Sequence, residues 1–245
     1  MNEHTDWRPT KFEMRNGHWR TSLDPAEVNI GSRIMADSVA RFYQDEIPRH
    51  AKGRLLDLGC GKAPLFGMYF EFASEVVRAD QGSTHGSEFI DIQLDINEPL
   101  PFADATFDTV ILSDVLEHLR DPANCLAEIH RVLKVGGKLI LNVPFYYWLH
   151  ETPYDFFRYT CFGLKYIAEQ VGLQVVSLRP LGGAPEVLLD VLGKVLMESR
   201  TFRPIAKPIM SFYEFVIRSK RLQRYSRRTA ASMPLAYGMV VQKPG

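Results

Sequence analysis

Leu55-Leu56-Asp57-Leu58-Gly59-Cys60-Gly61-Lys62-Ala63-Pro64 is a short apolar run interrupted by an acid, with two glycines at alternate positions behind it. Physically it reads as a buried strand leaving a sheet through a tight turn. Glycine permits positive φ there and lets a ligand sit against bare backbone. Such a turn, at the C-terminal end of a parallel strand, is where open α/β sheets bind nucleotides.

Three ligand classes compete for it. A phosphate loop needs Gly-Lys-Ser/Thr, and here Ala63 follows Lys62. A dinucleotide fingerprint wants a third glycine where Pro64 stands, and Asp57 would set negative charge beside a pyrophosphate. An acid at the mouth instead suits a cationic ligand, and S-adenosyl-L-methionine carries an ammonium and a sulfonium but no phosphate. A strand-end turn with no ligand remains the alternative for a Gly-x-Gly pair alone.

The chain has 245 residues, enough for one large α/β domain. A hydrophobic fraction of 46% and a charged fraction of 24% are ordinary for a globular protein. Net charge is zero but lopsided: Asp80 to Glu128 holds eleven acids and one base, Arg120, whereas seven bases and no acid follow Glu214. Cys60, Cys125 and Cys161 show no Cys-x-x-Cys spacing, which fits a reduced, cytoplasmic chain without a zinc site. Met1 to Phe12 is polar, unlike a signal peptide, and no apolar run approaches the ~18 residues of a membrane span.

Residues 1–23 show no clear period and read as an arm or lid; residues 24–245 read as a single domain. Asp24-Pro25-Ala26-Glu27 has the signature of a helix start, and helical spacing follows to Ile47-Pro48. A helix over 65–74 and a strand Glu75 to Asp80 come next. Asp80 stands 19 residues after Gly61 (80 minus 61), close to the ~20 at which a carboxylate reaches a ribose diol. Asp95 in Leu94-Asp95-Ile96 is placed to accept an adenine amino group, with the Ile96 amide meeting a ring nitrogen; an ordinary loop acid is the alternative. Phe107 to Ser113 is a nearly continuous apolar strand. Asp121-Pro122 caps a helix that Gly136-Gly137 stops, and Lys138 to Val143 is a fifth strand. Thr160 caps another helix, Leu173 to Arg179 is a sixth strand, and Pro234 to Gln242 a last one. Alternating strands and helices predict an α/β, doubly wound, mostly parallel sheet.

Together, Asp57-x-Gly59-x-Gly61, Asp80, Leu94-Asp95-Ile96, Leu100-Pro101-Phe102, Ser113-Asp114-Val115-Leu116-Glu117-His118 and Leu133-Lys134-x-Gly136-Gly137 resemble the class I S-adenosylmethionine-dependent methyltransferases over about residues 53–180. The resemblance implies a Rossmann-like sheet of seven strands, the last antiparallel beside the sixth. It implies that Asp57, Gly59 and Gly61 line the methionine moiety, that Asp80 with Gln81 meets the ribose, that Asp95 and Ile96 frame the adenine, and that Ser113 and His118 lie near the cofactor. Ala63 departs from it, standing where many members carry a third glycine.

Chemistry in that family is an in-line displacement on an activated methyl, so the protein aligns the nucleophile and deprotonates it when it is a hydroxyl. The acceptor is expected beside Pro144 to Tyr159, which combines aromatic walls with His150, Glu151, Tyr154, Asp155 and Arg158. His150 is the expected general base, with Asp155, Tyr154 and Arg158 as its catalytic neighbours. His150, Glu151 and Asp155 are metal-ligand types, but adjacent residues of one loop rarely converge on one ion, and no metal is expected. The loop is similar to those of bacterial methyltransferases associated with surface-polysaccharide assembly, which implies O-methylation of a sugar or glycan hydroxyl.

A connection over about 181–233 reads as a helical insertion, with amphipathic pieces near 185–199 and 204–222. Apolar residues from Ile209 to Ile217 precede Arg218, Lys220, Arg221, Arg224, Arg227 and Arg228. A solvated basic face accounts for them, and the 209–228 segment also suits peripheral contact with an anionic membrane surface. Two functional alternatives stand beside the glycan reading. An RNA methyltransferase has only that basic segment in its favour, so a nucleic-acid partner is not expected. A non-catalytic cofactor-binding subunit would leave the equipped loop without a use.

Overall fold

A computed structural model describes residues 7–82, 88–202 and 219–245, with residues 204, 205, 208, 209, 212, 216 and 217 between the last two. In the arm, where no period is legible, Phe12–Arg15 (β1) and His18–Thr21 (β2) pair as an antiparallel hairpin. Asn16 and Gly17 both take positive φ at its tip, the Asn-Gly pair that two-residue hairpin turns favour. The helix expected from Asp24 begins later, as Arg33–His50 (α1). Asp24 instead closes a turn, its carboxylate accepting from the Ala26 amide at 2.8 Å and its carbonyl from the Val28 amide at 3.0 Å. A local side-chain bond of this kind competes with helix.

Gly53–Leu58 (β3), Ala73–Asp80 (β4), Ile92–Gln93 (β5), Phe107–Ser113 (β6), Leu133–Pro144 (β7), Gln174–Leu181 (β8) and Ala236–Gln242 (β9) build one sheet in the order β5-β4-β3-β6-β7-β9-β8. The first five strands are parallel; β9 runs antiparallel between β7 and β8. Leaving β3, the sheet grows one way to β4 and the other way to β6, so the glycine turn sits at the switch point, in the crevice where such sheets take ligands.

Two boundaries differ from the sequence expectation. After the glycine turn only one α-helical turn forms, Phe66–Tyr69 (α2), and β4 starts at Ala73. The helix Pro122–Val132 (α3) ends before the glycine pair, and Leu133 already pairs with Phe107. Gly136 and Gly137 therefore lie inside β7, where the register shifts and Gly136 adopts φ 76°. Cys161–Gln170 (α4), capped by Thr160, stands as expected. Ala184–Glu198 (α5) and Lys220–Thr229 (α6) belong to the insertion. The expected amphipathic piece near 204–222 falls largely outside the described residues, as does Arg218.

Successive strand residues face opposite layers, as the pleat requires. Leu55, Ile111, Ile140 and Val240 meet α1, α2 and part of α5. Leu56, Val110, Leu112, Leu139 and Leu141 meet α3 and α4. Gly238 in β9 lets α1 approach: a Cβ there would stand 2.4 Å from Phe42 Cε2, on a ring that is 1% exposed. Gly238→Ala is expected to cost ~1–3 kcal/mol through overpacking. Urea unfolding measures this, and an unchanged midpoint would mean that Phe42 yields freely. Among the described residues no helix is long and apolar enough to cross a membrane.

Candidate active site

Backbone geometry builds the first half of the site. The Gly59 and Cys60 amides donate to the Ala79 carbonyl at 2.7 and 3.2 Å, tying the turn to β4. Gly59 takes φ 75° and Gly61 φ 51°. A Cβ on Gly59 would come within 2.4 Å of Val115 Cγ2 and 3.4 Å of Ile96 Cδ1. Ala63 adopts φ 48°, a conformation that glycine takes most readily, and its carbonyl accepts from Trp7 Nε1 at 3.0 Å. Left-handed backbone costs a non-glycine residue roughly 1–2 kcal/mol, which packing of the arm offsets.

Asp57, expected at the mouth, lies beneath the turn with 3% exposure, and the Tyr69 hydroxyl donates to its Oδ2 at 2.8 Å. Burial pushes its carboxyl up to about 7, against the opposing pull of that hydrogen bond and of Arg78. The folded chain thus binds a proton here more tightly than the unfolded one. The stability this contributes is full below the unfolded value near 3.8 and is lost as pH rises through about 7. Without cofactor, the native melting temperature should fall more steeply between pH 4 and 8 than that of Asp57→Asn; equal slopes in the two melts would rule this out.

Asp80 ends β4 half-buried, its Oδ2 accepting from the Gly61 amide at 2.9 Å and its Oδ1 from the Gly82 amide at 3.0 Å. A carboxylate has about four acceptor positions, so capacity for a diol remains beside the turn. Gln81 is exposed next to it. Asp95 is exposed, and its Oδ1 accepts both Asn97 N–H groups at 2.9 Å, which holds its carboxyl below the usual range. Acceptors and an apolar floor from Ile96 converge here. That chemistry fits a diol, an amine and a cation rather than a phosphate.

A network absent from the sequence expectation closes the ends of β6 and β7. Asn142, fully buried, accepts at Oδ1 from the Tyr43 hydroxyl at 2.9 Å and the Ser113 hydroxyl at 2.8 Å, and donates to Asp114. Lys11 of the arm pairs with Asp114 Oδ2 at 3.0 Å. An asparagine inside the apolar run Leu139 to Val143 is the signal that could have revealed it.

The second half is the loop after β7. Amides of Phe156 and Phe157 donate to the Glu117 carbonyl at 2.9 and 3.2 Å, and the Tyr159 hydroxyl donates to the Leu116 carbonyl at 3.0 Å. These bonds fold the loop back and bring His150 beside His118, ring centroids 4.6 Å apart. Glu117, which sequence reasoning passed over, is 0% exposed beneath both rings, 3.7 Å from Nε2 of each. At that distance no hydrogen bond forms. Burial raises the Glu117 carboxyl above its ordinary value.

His118, expected at the cofactor, thus joins the loop, its Nδ1 2.9 Å from the Tyr154 carbonyl oxygen. Only that carbonyl of Tyr154 takes part; its side chain is 63% exposed. Asp155 lies 3.2 Å from His150 Nδ1 and is gripped by both terminal nitrogens of Arg158. Burial opposes charge on Asp155, but Arg158 and the His150 amide hold it down to about 2. Arg158 also donates to the Trp148 carbonyl at 2.9 Å, so it braces the loop rather than reaching into the site. Glu151 is exposed, and among the described residues it forms no cluster of ligand atoms with His150 and Asp155. Among the described residues, the donor atoms that do lie together are those of Glu117, His118 and His150, all within 4.8 Å of one another.

Tyr147 stands edge-on to His150 at 5.1 Å and forms the wall of a cavity of about 660 Å³. Phe145, Tyr146 and Trp148 line it with Asp190, Val191 and Lys194 of α5. The Lys194 ammonium lies 3.5 Å from the Tyr147 ring centroid, paired with Asp190. Burial lowers the Lys194 amine to about 8 and raises the Asp190 carboxyl to about 6. A cavity of this size, largely aromatic with few polar groups, is typical of small-molecule sites.

A family model described as a methyltransferase domain matches residues 56–141. The chain is similar to the ubiquinone biosynthesis O-methyltransferase of Mesorhizobium japonicum, 31% identical over 230 residues and covering 82% of each chain. It is similar also to an uncharacterized transposon protein of Streptomyces fradiae, 29% identical over 139 residues, 50% of this chain and 40% of that one. The chain spans about half the length of several further curated relatives. A crystal structure of a methyltransferase from Archaeoglobus fulgidus shares the fold, with a TM-score of 0.54 at 18% identity over 83% of this chain and 94% of that one.

Proposed function

Because the chain belongs to the class I S-adenosylmethionine-dependent methyltransferases, we propose that it methylates a hydroxyl group on a small-molecule acceptor, with a sugar or glycan intermediate as the substrate class. The observation that carries this reading is the buried Glu117 carboxylate with two imidazoles, set beside an aromatic cavity. Hydroxyl acceptors must lose a proton, and this cluster is where such a proton can be taken.

When bound, S-adenosylmethionine supplies a methyl activated by its sulfonium. In this reading the Gly59–Gly61 backbone holds the methionine moiety and Asp80 accepts from the ribose hydroxyls. Asp95 and Ile96 frame the adenine, while Lys11 offers a cation for the cofactor's carboxylate. Tyr147, Trp148 and Tyr146 stack on the acceptor ring and exclude water, and α5 closes the cavity from outside. The insertion then serves to shape the acceptor pocket.

The relatives named for ubiquinone biosynthesis raise a phenolic acceptor as the second reading, since an aromatic wall receives a phenol as readily as the C–H face of a sugar. Incubation with methyl-labelled cofactor and fractionated cell extract distinguishes them. Label in a methyl ether of a released sugar supports the glycan reading, label in an apolar aromatic fraction supports the phenol, and label confined to protein or RNA overturns both.

Lys220, Arg221, Arg224, Arg227 and Arg228 are all exposed on α6, which has no acid. They support peripheral contact with an anionic lipid surface. Binding to phosphatidylserine vesicles should disappear at high salt and in a variant with all five changed to glutamine. Equal partition onto neutral vesicles would exclude it.

A further inference from the structure

The cluster beneath the loop has acceptors left over. Among the described residues, neither carboxylate oxygen of Glu117 has a hydrogen-bond partner, although the residue is 0% exposed. A buried carboxylate in that condition carries the full penalty of desolvation unless something positive meets it. His118 Nε2 is buried and unpartnered as well.

The tautomers are readable from what surrounds them. A carbonyl oxygen only accepts, so His118 Nδ1, 2.9 Å from the Tyr154 carbonyl, carries the hydrogen and Nε2 presents a lone pair. His150 Nδ1 lies 3.2 Å from the Asp155 carboxylate, in a bent contact, which likewise favours hydrogen on Nδ1. Asp155 is in turn fixed by Arg158. Both Nε2 atoms thus face the same Glu117 oxygen at 3.7 Å. Around a tetrahedral ion with bonds of ~2.0–2.1 Å, ligand atoms stand roughly 3.4 Å apart. The two carboxylate–imidazole separations are a few tenths of an ångström wider, and all three donor atoms lie within 4.8 Å of one another, so both rings and the carboxylate must draw in on an ion. Imidazoles backed by a carbonyl and a carboxylate are the usual outer support of metal-binding histidines.

We propose that Glu117, His118 and His150 bind one divalent transition-metal cation, of the Mn²⁺ or Zn²⁺ class, with the acceptor hydroxyl completing its coordination. Two imidazoles and one carboxylate favour such an ion over Mg²⁺, which prefers oxygen ligands. This rests on the hydroxyl reading above and gives the cluster its means. The cation polarises the hydroxyl, whose proton leaves to water. The oxygen's electron pair then forms the bond to the methyl carbon. The carbon–sulfur bond breaks with its pair going to sulfur, leaving a neutral thioether. By sequence no metal is expected from the loop residues His150, Glu151 and Asp155; in the proposed site Glu117 and His118 follow β6, and only His150 comes from the loop.

Chelator-treated protein titrated with Mn²⁺, followed by calorimetry and by the loss of the free-ion paramagnetic signal, should bind one ion per chain. Zn²⁺ should compete for it. His150→Ala, on the loop, and Glu117→Gln should each weaken binding ~10-fold or more, while Asp155→Asn weakens it ~10-fold through His150. Circular dichroism and cofactor binding confirm that the variants fold, and His150→Ala alone suffices should Glu117→Gln not do so. No binding up to ~1 mM ion, or binding undiminished in the folded variants, overturns the site. Methyl transfer that survives chelation yet is lost in His150→Ala overturns the cation and leaves the hydroxyl reading standing. One bound ion with no O-methylated product keeps the site and overturns that reading.

Discussion

His150→Ala is expected to lower methyl transfer by ~10²–10⁴-fold, the span over which loss of proton removal from a hydroxyl is felt. Cofactor affinity should stay within about twofold, well under the 1.4 kcal/mol that one decade represents. The reason is spatial: His150 sits on the loop after β7, against Glu117, His118 and Tyr147. Asp80, Asp95 and the glycine turn lie instead at the ends of β3 to β5. His150 is only partly buried, so its loss should leave the fold intact. Turnover like that of the native protein on the true acceptor would remove His150 from the chemistry. Asp155 would not inherit the role, because Arg158 occupies both its oxygens.

Asp80→Ala should weaken S-adenosylmethionine binding ~10²-fold or more. Two charge-assisted hydrogen bonds to a ribose diol are worth ~1.5–3 kcal/mol each. Asp80 has a further part, since its two oxygens also receive the Gly61 and Gly82 amides, at 2.9 and 3.0 Å. The substitution releases the glycine turn as well as the diol. Asp80→Asn separates the two effects: an amide oxygen still accepts from one backbone N–H, so the variant should fall between alanine and the native residue. Calorimetry giving native affinity for Asp80→Ala would remove the assignment.

The sheet was legible because buried parallel strands announce themselves as continuous apolar runs, and Leu55 to Leu58, Val76 to Ala79 and Val110 to Leu112 are buried on both faces. The places of the glycine turn, Asp80 and Asp95 at strand ends were legible because each lies at or just past the end of its strand, where chain order and spatial order agree. Helix boundaries were less so. Asp24 has the chemistry of a cap, yet closes a turn with Ala26 and Val28, and Gly136 serves a register shift inside β7 rather than a helix end. The Asn16-Gly17 hairpin was written in the residues and needed only its turn chemistry to be read.

What only the tertiary structure decided is the company each side chain keeps. Glu117 and His118 look like any acid and histidine after a strand until amides of Phe156 and Phe157 fold the loop back onto the Glu117 carbonyl and place His150 over them. Lys11 meets Asp114 across 103 positions of chain, and Tyr43 meets Asn142 across 99. Local sequence determines strands, turns and the atoms that follow them, since those depend on neighbours along the backbone. Which charge is buried, which tautomer a histidine holds and which wall an acceptor meets depend on packing between distant segments, and no spacing rule along the chain encodes that.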